Sequence, residues 1–455
     1  MTQPKSRASK RETAAIILAA GQSTRMKSAR SKVLHEIGGR SLLHHVLATC
    51  EAAHLSPQIV VTSKDADDVQ DSAAKLGAET AVQDPPLGTG HAVQSATKLL
   101  NGFDGDVAVL FGDTPLIEAA TLEAMSEARA DGADVVVLGF DAADPTPYGR
   151  LVMNADGGLD RIVEAKDANE GELAIGFVNS GVLMADAATL FDLLGKVTND
   201  NAKGEFYLTD VVGLAREAGL SCAAIKCNEA ETLGVNSRAD LAVAETMLQT
   251  RLRAEALAGG ATLIAPETVF LSCDTLLAAD CVIEPNVVFG PGVTVGPGAR
   301  IKAFSHLEGA SVAANADIGP YARLRRGADI KAGARVGNFV EIKKAIIEEG
   351  AKVNHLSYVG DARVGSKANI GAGVITCNYD GFNKHQTDIG AGAFVGSNSS
   401  LVAPVKVEDG AYVGSGSVVT KTVEADALAL TRADFKQIKG WAAKFRARQS
   451  KKSGD

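Results

Sequence analysis

An aliphatic side chain recurs at every sixth position over much of the second half of this 455-residue sequence, between about Leu271 and Val419. A period of six matches neither the 3.6-residue repeat of a helix nor the two-residue alternation of a strand. The pattern instead predicts a chain that winds into coils, with one aliphatic side chain from each short strand directed into a shared core. The repeating positions are Leu271, Leu277, Ile283, Phe289, Val295, Ile301 and Leu307, then Ile318, Leu324, Ile330, Val336 and Ile342, then Val353 and Val359, then Val364 and Ile370, and finally Ile389, Val395, Leu401, Val407, Val413 and Val419.

Glycine often follows the aliphatic position, as in Val295-Gly296, Val336-Gly337 and Val413-Gly414. A tight corner tolerates little else, so corners alternate with short strands. Three six-residue units per triangular coil would give roughly eight coils stacked at ~4.8 Å each. We therefore predict a left-handed parallel β-helix of hexapeptide repeats rather than a β-sandwich. The flat sides and open ends of such a solenoid favour self-association, most simply as a homotrimer.

Composition narrows the class of protein. The length allows two or three domains, and a net charge of −9 argues against nucleic-acid binding as the main function. No apolar run is long enough to span a bilayer, and the basic start is followed by too short an apolar stretch for a secretion signal, so we expect a cytoplasmic protein. The six cysteines lack CxxC spacing, which indicates neither a zinc site nor a disulfide framework.

The first half alternates short apolar runs with helical stretches, which predicts a Rossmann-like α/β domain with a mostly parallel sheet. Ligands of such sheets bind beyond the carboxyl ends of the strands. Three polar clusters fall at these ends: the loop from Ala19 to Met26, the segment Gln83 to Gly90, and Gly112 to Pro115. The first loop offers backbone N–H groups to phosphate, and Arg25 and Lys32 add positive charge. A solvated turn is the alternative interpretation of this loop.

Asp113 directly follows the apolar run Val107 to Phe111. Its carboxylate would therefore face the same crevice as the phosphate loop, where a hard oxygen ligand suits Mg²⁺. The alternative is an aspartate that only caps the turn before Pro115. The three clusters together favour the metal site.

These motifs carry a resemblance to a known family. In order along the chain, the motifs that resemble sugar-1-phosphate nucleotidyltransferases are Leu18-Ala19-Ala20-Gly21, Thr24-Arg25-Met26, Lys32, Leu87-Gly88-Thr89-Gly90-His91, Gly112-Asp113, Tyr148-Gly149-Arg150, Ile162-Val163-Glu164, Lys166-Asp167, Asn179-Ser180-Gly181 and Gly234-Val235-Asn236. With the repeat domain added, the chain resembles, nearly end to end, the bacterial bifunctional N-acetylglucosamine-1-phosphate uridylyltransferase/glucosamine-1-phosphate acetyltransferase family.

The resemblance implies that the first half joins UTP to N-acetylglucosamine 1-phosphate and releases pyrophosphate. The product, UDP-N-acetylglucosamine, supplies peptidoglycan and lipopolysaccharide synthesis. By the same resemblance, Arg25 and Lys32 act in catalysis, and Asp113 and Asn236 hold Mg²⁺. The implied nucleotide and sugar contacts are Leu18, Ala19, Ala20, Gly21, Lys32, Gln83, Gly88, Thr89, Asp113, Gly149, Glu164, Asn179 and Asn236. Ser23 stands where these loops often have a second glycine.

The resemblance also implies that the second half transfers acetyl from acetyl-CoA to glucosamine 1-phosphate, with His355 as general base. A lone histidine is more often structural, but the polar loop Cys377 to Lys384 interrupts the repeat, and such loops tend to carry function. Asn378 would orient His355 or help to hold the acetyl group. The implied sugar-phosphate contacts are Arg325, Lys343, Tyr358, Asn369 and Lys384, and the implied acetyl-CoA contacts are Ala372, Asn378, Tyr379, Ser397, Ser415 and Arg432. Arg326 stands where the family usually has proline.

The domain boundaries follow from these patterns. We predict a mobile tail at 1–12, the uridylyltransferase domain at 13–236, a connecting helix at 237–260, the acetyltransferase β-helix at 261–435 and a basic arm at 436–455. Two other functions remain open: a single-activity sugar-1-phosphate nucleotidyltransferase with a regulatory β-helix, and a non-catalytic assembly subunit. His355 with its neighbouring loop disfavours the first, and the presence of Arg25, Lys32 and Asp113 disfavours the second.

Overall fold

A computed structural model of the protein describes residues 11–21, 24–201 and 203–450. Three of the predictions above fall outside these ranges: most of the tail at 1–12, the effect of Ser23, and the last five residues of the basic arm. Within the described part of the chain, no helix combines the length and the apolar character needed to cross a membrane. All six cysteines are free thiols.

The chain divides into two compact units, Met1–Arg251 and Leu252–Asp455. The helix Arg238–Ala258 crosses that boundary. It begins at a reciprocal cap, in which the Asp240 carboxylate accepts from the Ser237 N–H at 2.8 Å and the Asp240 N–H donates to the Ser237 hydroxyl at 3.2 Å. It ends before Gly260, whose φ of +90° continues no right-handed helix.

A mostly parallel sheet forms the centre of the first unit, as the alternating pattern predicts. Its longest path of neighbouring strands is Cys222–Cys227, Val135–Asp141, Phe177–Asp186, Asp106–Phe111, Thr13–Leu18, Gln58–Ser63 and Glu79–Gln83. Only Phe177–Asp186 runs antiparallel to its neighbours on this path. Arg150–Met153 and Leu159–Val163 add a hairpin to the sheet, and Glu36–Ile37 pairs separately with Arg40–Ser41.

The sheet is buried on both faces. Ala14, Ala15, Ile16 and Ile17 are all fully buried in consecutive positions, as expected when helices cover both sides of a parallel sheet. Alternate residues enter two separate apolar clusters, one on each face. The helices of this unit that precede Arg238 are Leu42–Ala52, Asp67–Lys75, Thr89–Ser95, Ala119–Ala130, Glu170–Leu173, Ala187–Leu194 and Asp210–Glu217.

The second unit is a parallel β-helix, which confirms the interpretation of the six-residue period. Val282 pairs with Arg300, and Arg300 pairs in turn with Asp317, so a coil takes 17 or 18 residues, or three repeat units. Its strands are Thr262–Leu263, Leu276–Leu277, Val282–Ile283, Val288–Phe289, Thr294–Val295, Arg300–Ile301, His306–Leu307, Ala310–Val312, Asp317–Ile318, Arg323–Leu324, Ala328–Ile330, Arg335–Asn338, Glu341–Ile347, Lys352–His355, Tyr358–Val364, Asn369–Ile370, Ile375–Cys377, Thr387–Ile389, Phe394–Val395, Ser400–Val402, Val405–Val407, Tyr412–Val413, Val418–Val419 and Leu428–Ala429. One face alone stacks ten strands.

The glycines beside the core positions allow adjacent coils to pack closely. A Cβ added at Gly371 would lie 2.6 Å from the backbone nitrogen of Ser397 on the next coil. At Gly296 the nearest atom of the next coil, the Ala314 nitrogen, would be 2.9 Å away. Neither glycine has a left-handed φ. The close approach of the next coil, rather than a special backbone conformation, therefore excludes larger residues here.

One loop interrupts the stack, and the chain leaves the β-helix at its end. Ala362 pairs with Thr387, 25 positions later rather than 17 or 18, so the segment between Cys377 and Thr387 projects from its coil. After Leu428–Ala429 the chain has no regular structure until the helix Trp441–Ser450, which buries none of its residues within this chain. This helix lies within the predicted basic arm.

Candidate active sites

A cavity of about 460 Å³ lies at the carboxyl edge of the sheet in the first unit. The adjacent parallel strands Asp106–Phe111 and Thr13–Leu18 both end there, and Gln83 ends a third strand at the same edge. The predicted contacts that line the cavity are Leu18, Ala19, Ala20, Gly21, Lys32, Gln83, Gly88, Thr89 and Asp113. Val33, Pro86, Ala92, Phe111 and Glu205 complete the lining. The structure thus brings together residues from each of the three polar clusters.

The loop at Gly88 is fixed by a segment more than 100 residues later. The Phe206 N–H donates to the Leu87 carbonyl at 2.7 Å, and the Leu208 N–H donates to the Thr89 hydroxyl at 3.0 Å. Gly88 has a φ of +105°, and a Cβ there would lie 2.6 Å from the Phe206 carbonyl oxygen. Only glycine fits this position. Sequence reasoning left the segment around Phe206 without a role, because nothing local shows that it packs on the loop.

Gln83 is almost fully buried at the floor of the cavity. Its side-chain nitrogen donates to the Gly88 carbonyl at 2.9 Å and lies 3.2 Å from His91 Nδ1. These contacts hold the amide in one orientation. An amide held in this way can read the hydrogen-bonding edge of a base.

Lys32 and Asp113, which line the cavity, meet Asn236, which does not line it. The Lys32 ammonium pairs with the Asp113 carboxylate and donates to the Asn236 side-chain oxygen at 2.9 Å. The Val235 N–H donates to the Asp113 carbonyl at 2.8 Å, which keeps Asn236 beside Asp113. Two hard oxygen atoms therefore face one cation, and this donor set fits Mg²⁺.

Arg25 lies on a short 3₁₀ helix, Thr24–Met26, at the end of the phosphate loop. Its side chain is exposed and is not part of the cavity lining. Arg25 therefore lies outside the lining of the cavity that contains Lys32, although the resemblance assigns both residues to the same triphosphate.

Gly149, Glu164 and Asn179 form a second group next to the cavity. The Asn179 N–H donates to the Gly149 carbonyl at 2.8 Å, and a Cβ at Gly149 would lie 3.7 Å from a Glu164 carboxylate oxygen. None of the three lines the cavity itself. Gly181 connects this second group to the cavity, because a Cβ at Gly181 would lie 2.7 Å from the ring of the lining residue Phe111.

Asp210 adds a further carboxyl group near Glu164. Burial, and then the charge of Glu164, raises the pKa of Asp210. Glu164 was predicted as a sugar contact, whereas Asp210 was not predicted. Asp210 closely follows Phe206 and Leu208, which pack on the Gly88 loop.

In the second unit, His355 ends the strand Lys352–His355 and is exposed to solvent. Its Nδ1 lies 2.7 Å from the side-chain oxygen of Asn338 on the preceding coil. Asn338 was not predicted. Asn338 precedes His355 by one full coil, so counting back one coil length from His355 along the sequence would have identified it.

Cations gather on the same unit. Lys343 and Lys384 lie close together, and the Lys343 ammonium, by hydrogen bonding and then by its charge, holds the pKa of Lys384 below its ordinary value. Arg325 pairs with Glu341 at 2.8 Å. A site that keeps two ammonium groups side by side is suited to an anion such as phosphate.

Asn378 is nearly buried and donates to the carboxylate of Asp361. Its nitrogen also lies 3.5 Å from the Tyr358 hydroxyl. In the part of the chain that the structure describes, the hydrogen-bond partner of the His355 ring is Asn338. Asp361 was not predicted, although it also faces Lys384, whose positive charge it favours. Its φ of +47° is unusual for a residue other than glycine.

Asp380 organises the projecting loop that follows Cys377. Its carboxylate accepts from the Asn383 N–H at 2.6 Å, the Phe382 N–H at 2.8 Å and His385 Nε2 at 2.8 Å. These contacts, the Asn383 N–H foremost, lower the pKa of Asp380 to about 2. Tyr379 and Lys384 pair across the base of the loop. The loop is therefore held in shape by its own contacts, and Phe382 at its tip is 91% exposed.

The residues predicted to line the acetyl-CoA path stack on successive coils. The Asn398 N–H donates to the Ala372 carbonyl at 2.8 Å, and the Gly416 N–H donates to the Ser397 carbonyl at 2.8 Å. Arg432 closes the column by donating to the Ser415 carbonyl at 3.1 Å. Tyr379 projects separately on the loop, and Asn369 lies on the strand Asn369–Ile370.

Arg326, at the position where the family usually has proline, is exposed and lies 3.7 Å from the Glu308 carboxylate. The next residue, Gly327, keeps the coil contact by donating to the Gly309 carbonyl at 2.8 Å. The arginine is therefore accommodated without loss of this contact between coils.

Comparison with known proteins gives a consistent result for both units. The model of the MobA-like NTP transferase domain matches residues 15–173, and that of the bacterial transferase hexapeptide (six repeats) matches 274–309 and 387–421. The bifunctional protein GlmU of Rhodospirillum rubrum is 57% identical over 445 residues, covering 97% of this chain and 99% of the relative. Those of Paramagnetospirillum magneticum and Maricaulis maris are 54% and 56% identical, over 96% and 97% of this chain and 98% of each relative. The chain therefore belongs to the bifunctional GlmU family, the uridylyltransferase/acetyltransferase family that its motifs resemble.

Proposed function

We propose that the chain makes UDP-N-acetylglucosamine in two steps, acetyl transfer to glucosamine 1-phosphate in the second unit followed by uridylyl transfer in the first. The observation that carries the proposal is that each unit of this family member has its own polar site. One is a cavity at a sheet edge with Lys32 and Asp113. The other lies on the β-helix, where His355 is exposed and where Lys343 and Lys384 lie close together at a surface that we call the coil face. A regulatory β-helix would need neither His355 nor the projecting loop that follows Cys377.

In the uridylyl step, a phosphate oxygen of N-acetylglucosamine 1-phosphate attacks the α-phosphorus of UTP, and pyrophosphate leaves. Positioning and charge neutralisation account for most of such a rate enhancement. Lys32 and Arg25 would balance the negative charge of the triphosphate. Gln83, Gly88 and Thr89 would bind the uracil, while Gly149, Glu164 and Asn179 would receive the sugar.

Asp113 and Asn236 would hold a divalent cation, which we propose is Mg²⁺. When bound, it supplies positive charge at the triphosphate. The fit rests on the two oxygen atoms that already share the Lys32 ammonium. The Lys32 ammonium would then turn to the phosphates.

In the acetyl step, the amine of glucosamine 1-phosphate attacks the thioester carbonyl of acetyl-CoA. His355 accepts the amine proton, the carbon–sulfur bond breaks, and the thiolate leaves and takes up a proton. Arg325, Lys343 and Lys384 would bind the sugar phosphate, with Tyr358 and Asn369 beside them. Ala372, Asn378, Tyr379, Ser397, Ser415 and Arg432 would contact acetyl-CoA.

We further propose that the protein is a homotrimer that acts in the cytoplasm, where its substrates UTP and acetyl-CoA are made. A column of exposed aromatic rings supports self-association: Phe304 stacks on Tyr321 at 5.0 Å, and Tyr321 stacks on Phe339 at 5.2 Å. These three side chains are about half exposed in the single chain. Such apolar columns are commonly covered in assemblies.

One incubation tests the two activities. The protein is mixed with UTP, Mg²⁺, acetyl-CoA and glucosamine 1-phosphate, and free thiol and pyrophosphate are followed independently. Both products are expected. Pyrophosphate release from supplied N-acetylglucosamine 1-phosphate, without any thiol release, would show a single-activity nucleotidyltransferase, and the absence of both products would show a non-catalytic subunit.

A further inference from the structure

Asn338 is the residue that contacts the ring of His355. Its side-chain oxygen lies 2.7 Å from His355 Nδ1. Resting on the proposed acetyl transfer, we infer that Asn338 is a positioning residue that fixes the tautomer and the orientation of the His355 ring for proton abstraction.

The backbone holds the two residues opposite each other. Asn338 and His355 end strands of adjacent coils and pair in register. The Leu356 N–H donates to the Asn338 carbonyl at 3.1 Å. Phe339 and Leu356 then turn the corner with φ values of +56° and +52°, so both coils bend at the same point.

The spacing between these coils leaves no room for slippage. A Cβ at Gly337 would lie 2.7 Å from the carbonyl carbon of Asn354 and 2.9 Å from its Cα. The Ser357 hydroxyl donates to the His355 carbonyl at 2.8 Å, which fixes the other side of the histidine. The contact between Asn338 and His355 thus follows from a rigid backbone on both coils.

The chemistry of the contact assigns the proton. An amide oxygen can only accept, so the hydrogen bond between Asn338 and His355 forms in the tautomer that carries its hydrogen on Nδ1. Nε2 then has a free lone pair and is the nitrogen that can take the amine proton. A second group that orients the base in this way is a general feature of acid–base sites.

Substitution of Asn338 tests the inference. Asn338→Ala should lower kcat for thiol release by about 10- to 100-fold, less than the loss of the base itself, with KM for glucosamine 1-phosphate nearly unchanged. Pyrophosphate release from supplied N-acetylglucosamine 1-phosphate reports the integrity of the same polypeptide and should not change. Asn286→Ala, at an exposed left-handed corner of the same β-helix, is the matched control and should leave both activities intact.

Two further variants separate positioning from structural support. Asn338→Asp keeps an acceptor facing Nδ1, so it should retain more activity than Asn338→Ala. Because its carboxylate favours the protonated ring, it should also move the acidic limb of the pH–rate profile to higher pH. Since Asn338 acts through His355, the double variant Asn338→Ala/His355→Ala should lose no more activity than His355→Ala alone.

The outcomes are distinguishable. If the unsubstituted protein releases no thiol, the proposed acetyl transfer itself fails. If it releases thiol and Asn338→Ala leaves kcat unchanged, changes only KM, or adds its full effect to that of His355→Ala, the inference about Asn338 is wrong. If Asn338→Ala also lowers pyrophosphate release, the pH profile of Asn338→Asp distinguishes a positioning role from structural damage. An unshifted acidic limb in that profile would overturn the inference.

Discussion

The two candidate sites differ in how their positive charges are balanced. In the sheet-edge cavity, the Lys32 ammonium is already paired with the Asp113 carboxylate and bonded to Asn236. On the coil face, Lys343 and Lys384 hold their ammonium groups side by side, and the proximity lowers the pKa of Lys384. One site has its positive charge neutralised internally, and the other keeps an excess.

This contrast in charge indicates which ligand each site can bind. A ligand that enters the cavity must replace an internal ion pair, which suits a substrate that arrives with its own cation. A phosphate that reaches the coil face relieves repulsion between two ammonium groups, so it needs no additional cation. The two sites are therefore expected to bind phosphate groups with two different arrangements of charge.

The largest expected effects come from removing one group essential to each site. His355→Ala should lower thiol release by roughly 10²- to 10⁴-fold while pyrophosphate release from supplied N-acetylglucosamine 1-phosphate persists. Asp113→Ala should do the reverse, because the acidic oxygen that holds the cation is lost. The two products, followed separately, check both variants. A loss of both activities in either variant would contradict the independence of the sites.

A smaller effect is expected from each lysine of the coil face. Lys343→Met or Lys384→Met should raise KM for glucosamine 1-phosphate by about 10-fold, because each variant loses one charge-assisted hydrogen bond to the phosphate. The loss is limited because removing one ammonium also relieves the repulsion on the other. Lys367→Met, on the same β-helix, is the control. An unchanged KM in both variants would remove these lysines from the phosphate site.

Cation binding to the first unit should change by a few-fold. Without nucleotide, Lys32→Met should bind Mn²⁺ about fivefold more tightly, the equivalent of ~1 kcal/mol, because the ion no longer displaces an ammonium. Titration followed by electron paramagnetic resonance measures the affinity. Lys64→Met, which removes an exposed pair with Asp84 at 3.2 Å, should have no effect. Weaker binding in Lys32→Met would show that Lys32 does not occupy the cation position.

The weakest signal we expect is the uptake of a fraction of a proton when glucosamine 1-phosphate binds. Lys384 binds its proton less readily in the folded than in the unfolded chain, so its contribution opposes folding below its folded pKa and is lost as pH rises from that pKa to the ordinary value. A bound phosphate favours the charged form, so binding of glucosamine 1-phosphate at alkaline pH should take up a fraction of a proton. Calorimetry in buffers of different ionisation enthalpy measures it. Lys384→Met should abolish the uptake, and equal uptake in that variant would assign it elsewhere.

The fold of the second unit could be predicted from short sequence patterns because its repeat is only six residues long. One buried aliphatic per six residues is enough to define the coils, and the core positions Ile283, Ile301 and Ile318 are fully buried as that period requires. The ends of the buried strands likewise predicted the cavity of the first unit. Gln83 and Asp113 come from separate segments and still line one cavity, because parallel strands end at the same edge of the sheet.

The rest depends on contacts between distant segments. The packing of Phe206 on Gly88 joins segments more than 100 residues apart, and no spacing rule connects them. Asn338 and Asp361 are single polar residues whose roles appear only when adjacent coils are aligned. A coil length of 17 or 18 residues, once known, is the rule that makes such partners searchable in the sequence.

The projecting loop between Cys377 and Thr387 shows that a corner of the β-helix can lengthen without a change in pitch. Strands on both sides of the insertion still pair in register, Ala362 with Thr387 and Thr376 with Leu401. The spacing between coils is set by the pairing of neighbouring backbones, and that pairing persists across an insertion at this corner. A loop of different length or sequence at the same turn would therefore leave the buried core of the β-helix unchanged.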